Sequence, residues 1–312
     1  SVLIEDAKRG RVSAVRMRAL VLGSAAGGGL PQWNCGCTNC NAARTGVLAP
    51  QTQSSLAVSA DGKAWIVLNA SPDIRSQFSR NKQLWPTGLR ESPLHSLILT
   101  NGDIDHIAGL LTLREKQPFT LYLTQTLDGI LGDNPVFKAL DPEIVSKRTC
   151  QLDTWFDLGR FSRVHLITVP GKVPLFLEGD QVETGLIGGQ TVGIEFEANG
   201  ARLLYVPGCA AITPDFEARL EGADVLFFDG TLYRDDEMIA AGLGQKTGKR
   251  MGHMSMSGEG GSLEALRKFD HLRKIYVHIN NTNPVWVESS QERLHVEESG
   301  WEVAFDGMEI TL

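Results

Sequence analysis

The sequence predicts an α/β (α+β) protein built from two β-sheets with helices covering their outer faces. Strand-length apolar runs recur along the whole chain and far outnumber the helix-like segments between them. Hairpin-like and crossover-like spacings are mixed, which a pair of packed sheets accommodates better than one wound sheet. The 33 glycines come without repeats or charge blocks, so they mark tight loops rather than disorder.

Residues 1–16 are polar and mixed and read as an N-terminal extension, which leaves 17–312 as a single domain with no visible linker. The first core strand is RALVLGS, residues 18–24, which ends in the turn AAGGG. A long loop at about 27–50 follows, then strand-like runs at 54–60, 63–70, 96–100 and 119–124. The second half repeats the pattern at 164–169, 191–197, 202–206, 224–229, 274–279, 301–305 and 308–312. Helices are expected at 71–78, after a Ser-Pro start, and directly after Asp105. Further helices are expected at 213–222, 262–269 and 289–299. The Gly- and Pro-rich stretch 171–189 is the least structured and reads as a loop over the site.

The net charge of −7 and the lack of a Lys/Arg stripe with interleaved aromatics argue against a nucleic-acid partner. No apolar run approaches the roughly 18 residues of a membrane span, so no membrane partner is expected. The N-terminal stretch lacks the apolar core of a secretion signal, and a cytoplasmic location is the expectation. The chain leaves room for a homodimer.

Of the five cysteines, Cys35, Cys37 and Cys40 crowd into NCGCTNC, while Cys150 and Cys209 stand alone. An odd count clustered in this way fits a disulfide framework poorly and a thiolate zinc site in a reducing compartment well. A structural zinc would pin the 27–50 loop to the body of the fold. An adventitious cluster and a redox role are the alternatives.

The stretch TNGDIDHIAGL, residues 100–110, places Asp103, Asp105 and His106 between an apolar strand and a helix start. Loops at the carboxyl ends of strands are where α/β proteins collect their chemistry. Asp105 as a plain helix cap and Asp103 as a turn residue are the competing readings. His278 closes another apolar strand and is followed by asparagines, whereas His95, His165, His271 and His295 read as packed or surface residues. One carboxylate and two imidazoles form the open face typical of non-haem iron oxygenases; Asp105, His106 and His278 would supply it, with Asp103 as a further oxygen donor.

LGSAAGGGLPQWNCGCTNC, NASPDIR, DIDHIAGLLTLRE, DGTLYRDDEM, MGHMSMSG and YVHINNTNP together resemble the PqqB family of pyrroloquinoline quinone (PQQ) biosynthesis proteins, from about residue 17 to 312. The resemblance implies a metallo-β-lactamase fold, a four-layer αββα sandwich with its site at the sheets' shared edge. Hydrolytic members of that superfamily carry H-x-H-x-D-H; aligned on Asp105 and His106, this chain has Asn101 and Asp103 in place of the first two histidines. The next superfamily histidine falls near TVPGKVP, which has none, and the bridging aspartate falls where Cys209 stands. His278 matches the last histidine, and His253 resembles a non-ligating catalytic histidine of phosphodiesterase relatives. Those relatives complete a C-x-C-x-x-C zinc site with a histidine at the position of Asn281, so Asn281 is the position for a fourth ligand here.

Losing these ligands removes a dinuclear hydroxide clamp and leaves a single ion with open positions. The family resemblance implies iron- and O2-dependent hydroxylation of the tyrosine ring of a small Glu–Tyr-derived precursor. It implies Fe(II) at Asp105, His106, His278 and Asp103, with Asp103 ligating or positioning a water. Asn101 would hydrogen-bond from the rim, and His253 would move protons. Zn, Mn and Cu compete for the same ligands. Two other readings are a carrier for PQQ or its precursor, and a single-metal hydrolase.

Overall fold

The computed structural model describes residues 15–159 and 161–312, so all but the last two residues of the expected N-terminal extension lie outside the described residues. Strands β1 (Arg18–Gly23), β2 (Ser55–Ser59), β3 (Trp65–Leu68), β4 (Leu94–Ile98), β5 (Phe119–Thr124) and β6 (Val145–Cys150) fill the first half. The second half supplies β7 (Trp155–Asp157), β8 (Ser162–Thr168), β9 (Val192–Ala198), β10 (Ala201–Val206), β11 (Val225–Asp229), β12 (Arg273–Val277) and β13 (Trp301–Val303). The last strand, β14 (Glu309–Thr311), returns to pair with β1. The result is two seven-stranded sheets, ordered β14-β1-β2-β3-β4-β5-β6 and β13-β12-β11-β10-β9-β8-β7.

Side-chain alternation divides each strand between two cores. Between the sheets, Val21, Leu56, Val58 and Ile98 meet Ile194, Phe196, Tyr205 and Phe227. The opposite faces pack outward. Leu20, Val67, Leu97 and Leu121 lie under the helices Ile74–Arg80 and Gln125–Asp133, and Leu204, Leu226, Phe228 and Tyr276 under the second helical layer. Helices on both outer faces make this the four-layer αββα arrangement.

The helices in chain order are α1 (Thr38–Arg44), α2 (Ile74–Arg80), α3 (Ile104–Ile107), α4 (Gln125–Asp133), α5 (Pro214–Leu220), α6 (Glu237–Ala240), α7 (Ser262–Ala265) and α8 (Gln291–Glu298). Hydroxyl caps set several starts: Thr124, Thr213 and Ser290 accept from backbone N–H groups of α4, α5 and α8. None among the described residues is long and apolar enough to cross a membrane.

Four departures from the sequence expectations have physical reasons. Strand β6, VSKRTC, was not expected because four of its six residues are exposed on a sheet edge and carry no apolar alternation. Helix α4, QTLDGILGD, hides behind two helix-weakening glycines. The 27–50 segment is not all loop, since it carries α1. The helix after Asp105 runs α-helically for only one turn before tightening at Ala108–Leu113. There Gly109 lies directly on the backbone of residues 70–71, where an added Cβ would come within 2.1 Å of the Ser71 carbonyl oxygen.

Strands β3 to β6 run parallel, as do β10 to β13. The segments after β4, β11 and β12 therefore emerge where chain crosses between the sheets. A bridge from Asn101 to Thr191 and another from Ala25 to Ile279 fasten that edge.

Candidate metal centre

Asp105 and His106 sit on the single turn of α3, and His278 directly follows β12. Their ligand atoms lie within 4.8 Å of one another. His278 Nε2 is 3.1 Å from Asp105 Oδ2, and His106 Nε2 is 3.4 Å from the same oxygen. His278 holds this place with φ 54°, a left-handed conformation that a non-glycine residue adopts only when its surroundings impose it. The imposition comes from both sides: Gly230 N–H donates to the Val277 carbonyl, Ile279 N–H to that of Ser24, and Asn280 N–H to that of Thr231.

The hydrogen bonds assign the imidazole tautomers. Asn101 Oδ1 accepts from Asp103 N–H at 3.0 Å, so His106 Nδ1, 2.6 Å away, must be the donor in that contact. Thr231 Oγ1 gives its single proton to Asp229 Oδ1 at 2.7 Å. It therefore accepts from His278 Nδ1 at 2.9 Å and from His253 Nδ1 at 3.1 Å. Asp229 Oδ2 also accepts from His253 Nδ1 at 2.6 Å. All three rings carry hydrogen on Nδ1; Nε2 of His106 and His253 is left for a ligand or a proton, while that of His278 meets Asp105 Oδ2.

Electrostatics match this assignment. Burial pushes the His106 pKa down, which favours the neutral ring. Burial acts the same way on His278, but Asp105, Asp229 and Asp103 outweigh it and raise its pKa. Burial opposes ionisation of Asp105, yet His106 and His278 hold it charged far below the usual carboxylate range. Asp103 moves the other way, raised by burial and by its neighbour Asp105. His106 Nε2 is buried without a hydrogen-bond partner and, with the proton on Nδ1, offers its lone pair beside an ionised carboxylate, an arrangement suited to a divalent ion. The donor set fits a metal.

Asp103 lines the same cavity but does not belong to the converging trio. Asn101 corrects the expectation of a rim position: it is 8 % exposed and buried, orienting His106 from behind. Cys209 is no substitute ligand. Its thiol is fully buried, its pKa is raised by burial and by Asp229, and its S–H donates to the Ala211 carbonyl at 3.1 Å. His165, expected to be a packed residue, pairs with Glu195 at 2.9 Å in the core. Asp229 and Thr231, at and just after the end of β11, orient His253 and His278, and no spacing rule links them to histidines more than twenty residues away.

The second cluster lies across the edge. Cys35, Cys37 and Cys40 bring their sulfurs within 4.8 Å of one another. Asn281 Nδ2 closes the group at 3.2, 3.7 and 3.3 Å from the three sulfurs. Burial opposes ionisation of Cys37, but hydrogen bonds from Cys40 N–H and its neighbours win and lower its pKa. Cys40 is pushed up to about 11 by burial and by the charge on Cys37. Three such sulfurs cannot ionise together without a cation, so this set also fits a metal, and zinc suits its thiolates.

Above the trio opens a cavity of about 310 Å³, lined by Asp103, His253, Lys172, Phe176, Met238 and Lys246, among others. The 171–189 stretch lies over the site as expected, contributing Lys172, Leu175, Phe176 and Glu178 to the wall.

Fold and site together define a class. The family model described as Beta-lactamase superfamily domain matches residues 64–279. The chain is 58% identical over 298 residues to coenzyme PQQ synthesis protein B of Rhizobium meliloti (strain 1021), covering 95% of this chain and 98% of that one. It is 53% identical over 299 residues to the protein of the same name from Methylorubrum extorquens (strain PA1), covering 95% and 100%. The crystal structure of Zn2+-bound PqqB from Methylobacterium extorquens superposes with a TM-score of 0.93 at 52% identity, over 95% of this chain and 100% of that one. The chain belongs to the coenzyme PQQ synthesis protein B family. A diphosphatase of the PhnP family, at 20% identity and a TM-score of 0.67 over 95% and 97%, shares the fold.

Proposed function

We propose that this protein acts in PQQ biosynthesis as a non-haem iron- and O2-dependent hydroxylase of the tyrosine ring of a small Glu–Tyr-derived precursor. The observation that carries this reading is the convergence of one ionised carboxylate and two imidazole Nε2 atoms, with a buried thiol and a buried amide where a second metal's ligands would stand. Asp105, His106 and His278 would hold the metal. Fe(II) there would supply open positions for dioxygen and the redox chemistry that ring hydroxylation needs, with a reductant completing the electron balance.

The protein's own groups do the rest. Asn101 and Thr231 fix the two ligand rings through Nδ1, so neither spends entropy on finding its tautomer. Asp229 accepts from His253 Nδ1 and orients the ring, leaving His253 Nε2 to take or return a proton at the phenol. Asp103, with its raised pKa, stands on the wall as a second proton-holding group that can position a water. Leu175 and Phe176 give the ring an apolar seat and exclude water. The reduced cysteine trio suits a cytoplasmic location.

The test is anaerobic purification, loading with Fe(II), and addition of the Glu–Tyr dipeptide, a reductant and oxygen. Mass spectrometry should find one oxygen atom added to the tyrosine, and His106→Ala should abolish the gain. Absence of the gain with Fe(II), Zn and Mn alike, while the dipeptide still binds, would replace the hydroxylase with the carrier reading.

A further inference from the structure

Lys172, Lys246 and Glu178 line the same cavity as the metal trio, and Arg250 pairs with the same carboxylate. Glu178 has a side chain only 8% exposed. Lys172 Nζ lies 2.7 Å from its Oε1, while Arg250 NH2 and Lys246 Nζ lie 3.4 and 3.9 Å from its Oε2. Among the described residues no other carboxylate comes within ion-pair distance of these three cations. Asp103 is the next acid Lys172 feels, and it belongs to the metal side of the cavity.

One carboxylate balances only one of the three positive charges gathered around it. The surplus is visible: Arg250 NH1 is shut off from solvent with no hydrogen-bond partner. Leu175, Phe176, Met238 and Met251 add apolar side chains to the same wall. The cavity thus combines metal ligands, apolar side chains and an excess of positive charge. An aromatic ring with a carboxylate on its tail fits that combination.

We propose that Lys172, Lys246 and Arg250 form the carboxylate-recognition cradle of the substrate, and that Glu178 is an internal carboxylate occupying it until an anionic substrate takes its place. The assignment rests on the hydroxylase reading for the identity of the substrate. Its logic is electrostatic: an internal anion keeps the cations in position and excludes ligands that cannot replace its charge. A purely structural role for the cluster, pinning the 171–189 segment, predicts the opposite response to removal of Glu178.

The experiment titrates the dipeptide into zinc-loaded protein by calorimetry, so that binding is read without turnover. Lys246→Met and Arg250→Gln should each weaken Glu–Tyr binding by about tenfold or more, the usual effect of losing a charged hydrogen-bond partner. Glu178→Gln should tighten it several-fold. All three effects should nearly vanish for a Gln–Tyr amide, which lacks the carboxylates. Glu178→Gln weakening the dipeptide in parallel with the two cation variants would overturn the cradle, as would equal effects on the amide or no dipeptide binding at all. Failure of the hydroxylase reading gives a different result: charge-sensitive binding with no product.

Discussion

His278 concentrates the residue-scale argument. Its φ of 54° costs on the order of 1–3 kcal/mol for a non-glycine residue, and backbone hydrogen bonds on either side hold it there. That geometry lets Nε2 face Asp105 while Nδ1 donates to Thr231. Replacing His278 with Ala relieves none of the backbone constraint and removes one of three converging donors. In protein loaded with Fe(II) and zinc, metal analysis should then find the metal of the trio lost and that of the cysteines retained. Iron stoichiometry unchanged in His278→Ala would remove His278 from the ligand set. His253 makes the complementary prediction, since it is held by Asp229 and Thr231 rather than by the trio. His253→Gln should keep iron binding and lose turnover by about a hundredfold or more; loss of iron in that variant would instead make it a ligand.

At the scale of elements, the site depends on how α3 is seated. Gly109 follows it and lies against residues 70–71, with its N–H donating to the Ala70 carbonyl. A methyl group 2.1 Å from the Ser71 oxygen has no flexible side chain to push aside. Gly109→Ala should therefore destabilise the fold by roughly 3 kcal/mol or more, measured by denaturant unfolding, and weaken iron binding by displacing Asp105 and His106. Helix α6 carries a different liability. Glu237 accepts from Thr282 Oγ1 at 2.6 Å and from Tyr233 N–H at 3.0 Å, tying α6 to the segment after His278. Burial raises its pKa to about 7. A raised folded-state pKa means that stability is full below the unfolded value and is lost as pH rises through about 7. Glu237→Gln should thus be relatively more stable than the parent at pH 8 than at pH 5, by up to about 3 kcal/mol. A melting-temperature difference independent of pH would show that Glu237 titrates normally.

Across the whole molecule, the thiolate cluster ties α1, early in the chain, to Asn281, 241 residues beyond Cys40. The segment after β12 thus carries His278 into the histidine–carboxylate sets and Asn281 against the thiolate set. A zinc on the three thiolates that also took the Asn281 amide oxygen would close so long a loop like a cross-link, worth roughly 2–4 kcal/mol. Cys37→Ser or strong chelation should lower the unfolding midpoint accordingly and release zinc. It should also reduce iron affinity, because the His278 segment loses an anchor. Zinc loss with an unchanged midpoint would make the cluster dispensable to the fold.

The layered architecture was legible in the sequence where strands are short apolar runs: β1, β5 and β11 bury nearly every residue and read as strands without help from their neighbours. The ligand types were legible for the same reason, since D-x-D-H and C-x-C-x-x-C place their side chains within a turn or two of one another. Edge strand β6, with its polar exposed residues, had no such local pattern. Neither did the Asp229–Thr231–His253 relay or the cradle of Lys172, Lys246 and Arg250 around Glu178. Those groups lie on loops, where no periodicity dictates direction, and parallel strands far apart in sequence bring them together. Local chemistry determined which elements form and which residues can bind a metal. Long-range pairing of the two sheets decided which tautomers the histidines hold, where Asn101 turns, and which charges face the cavity.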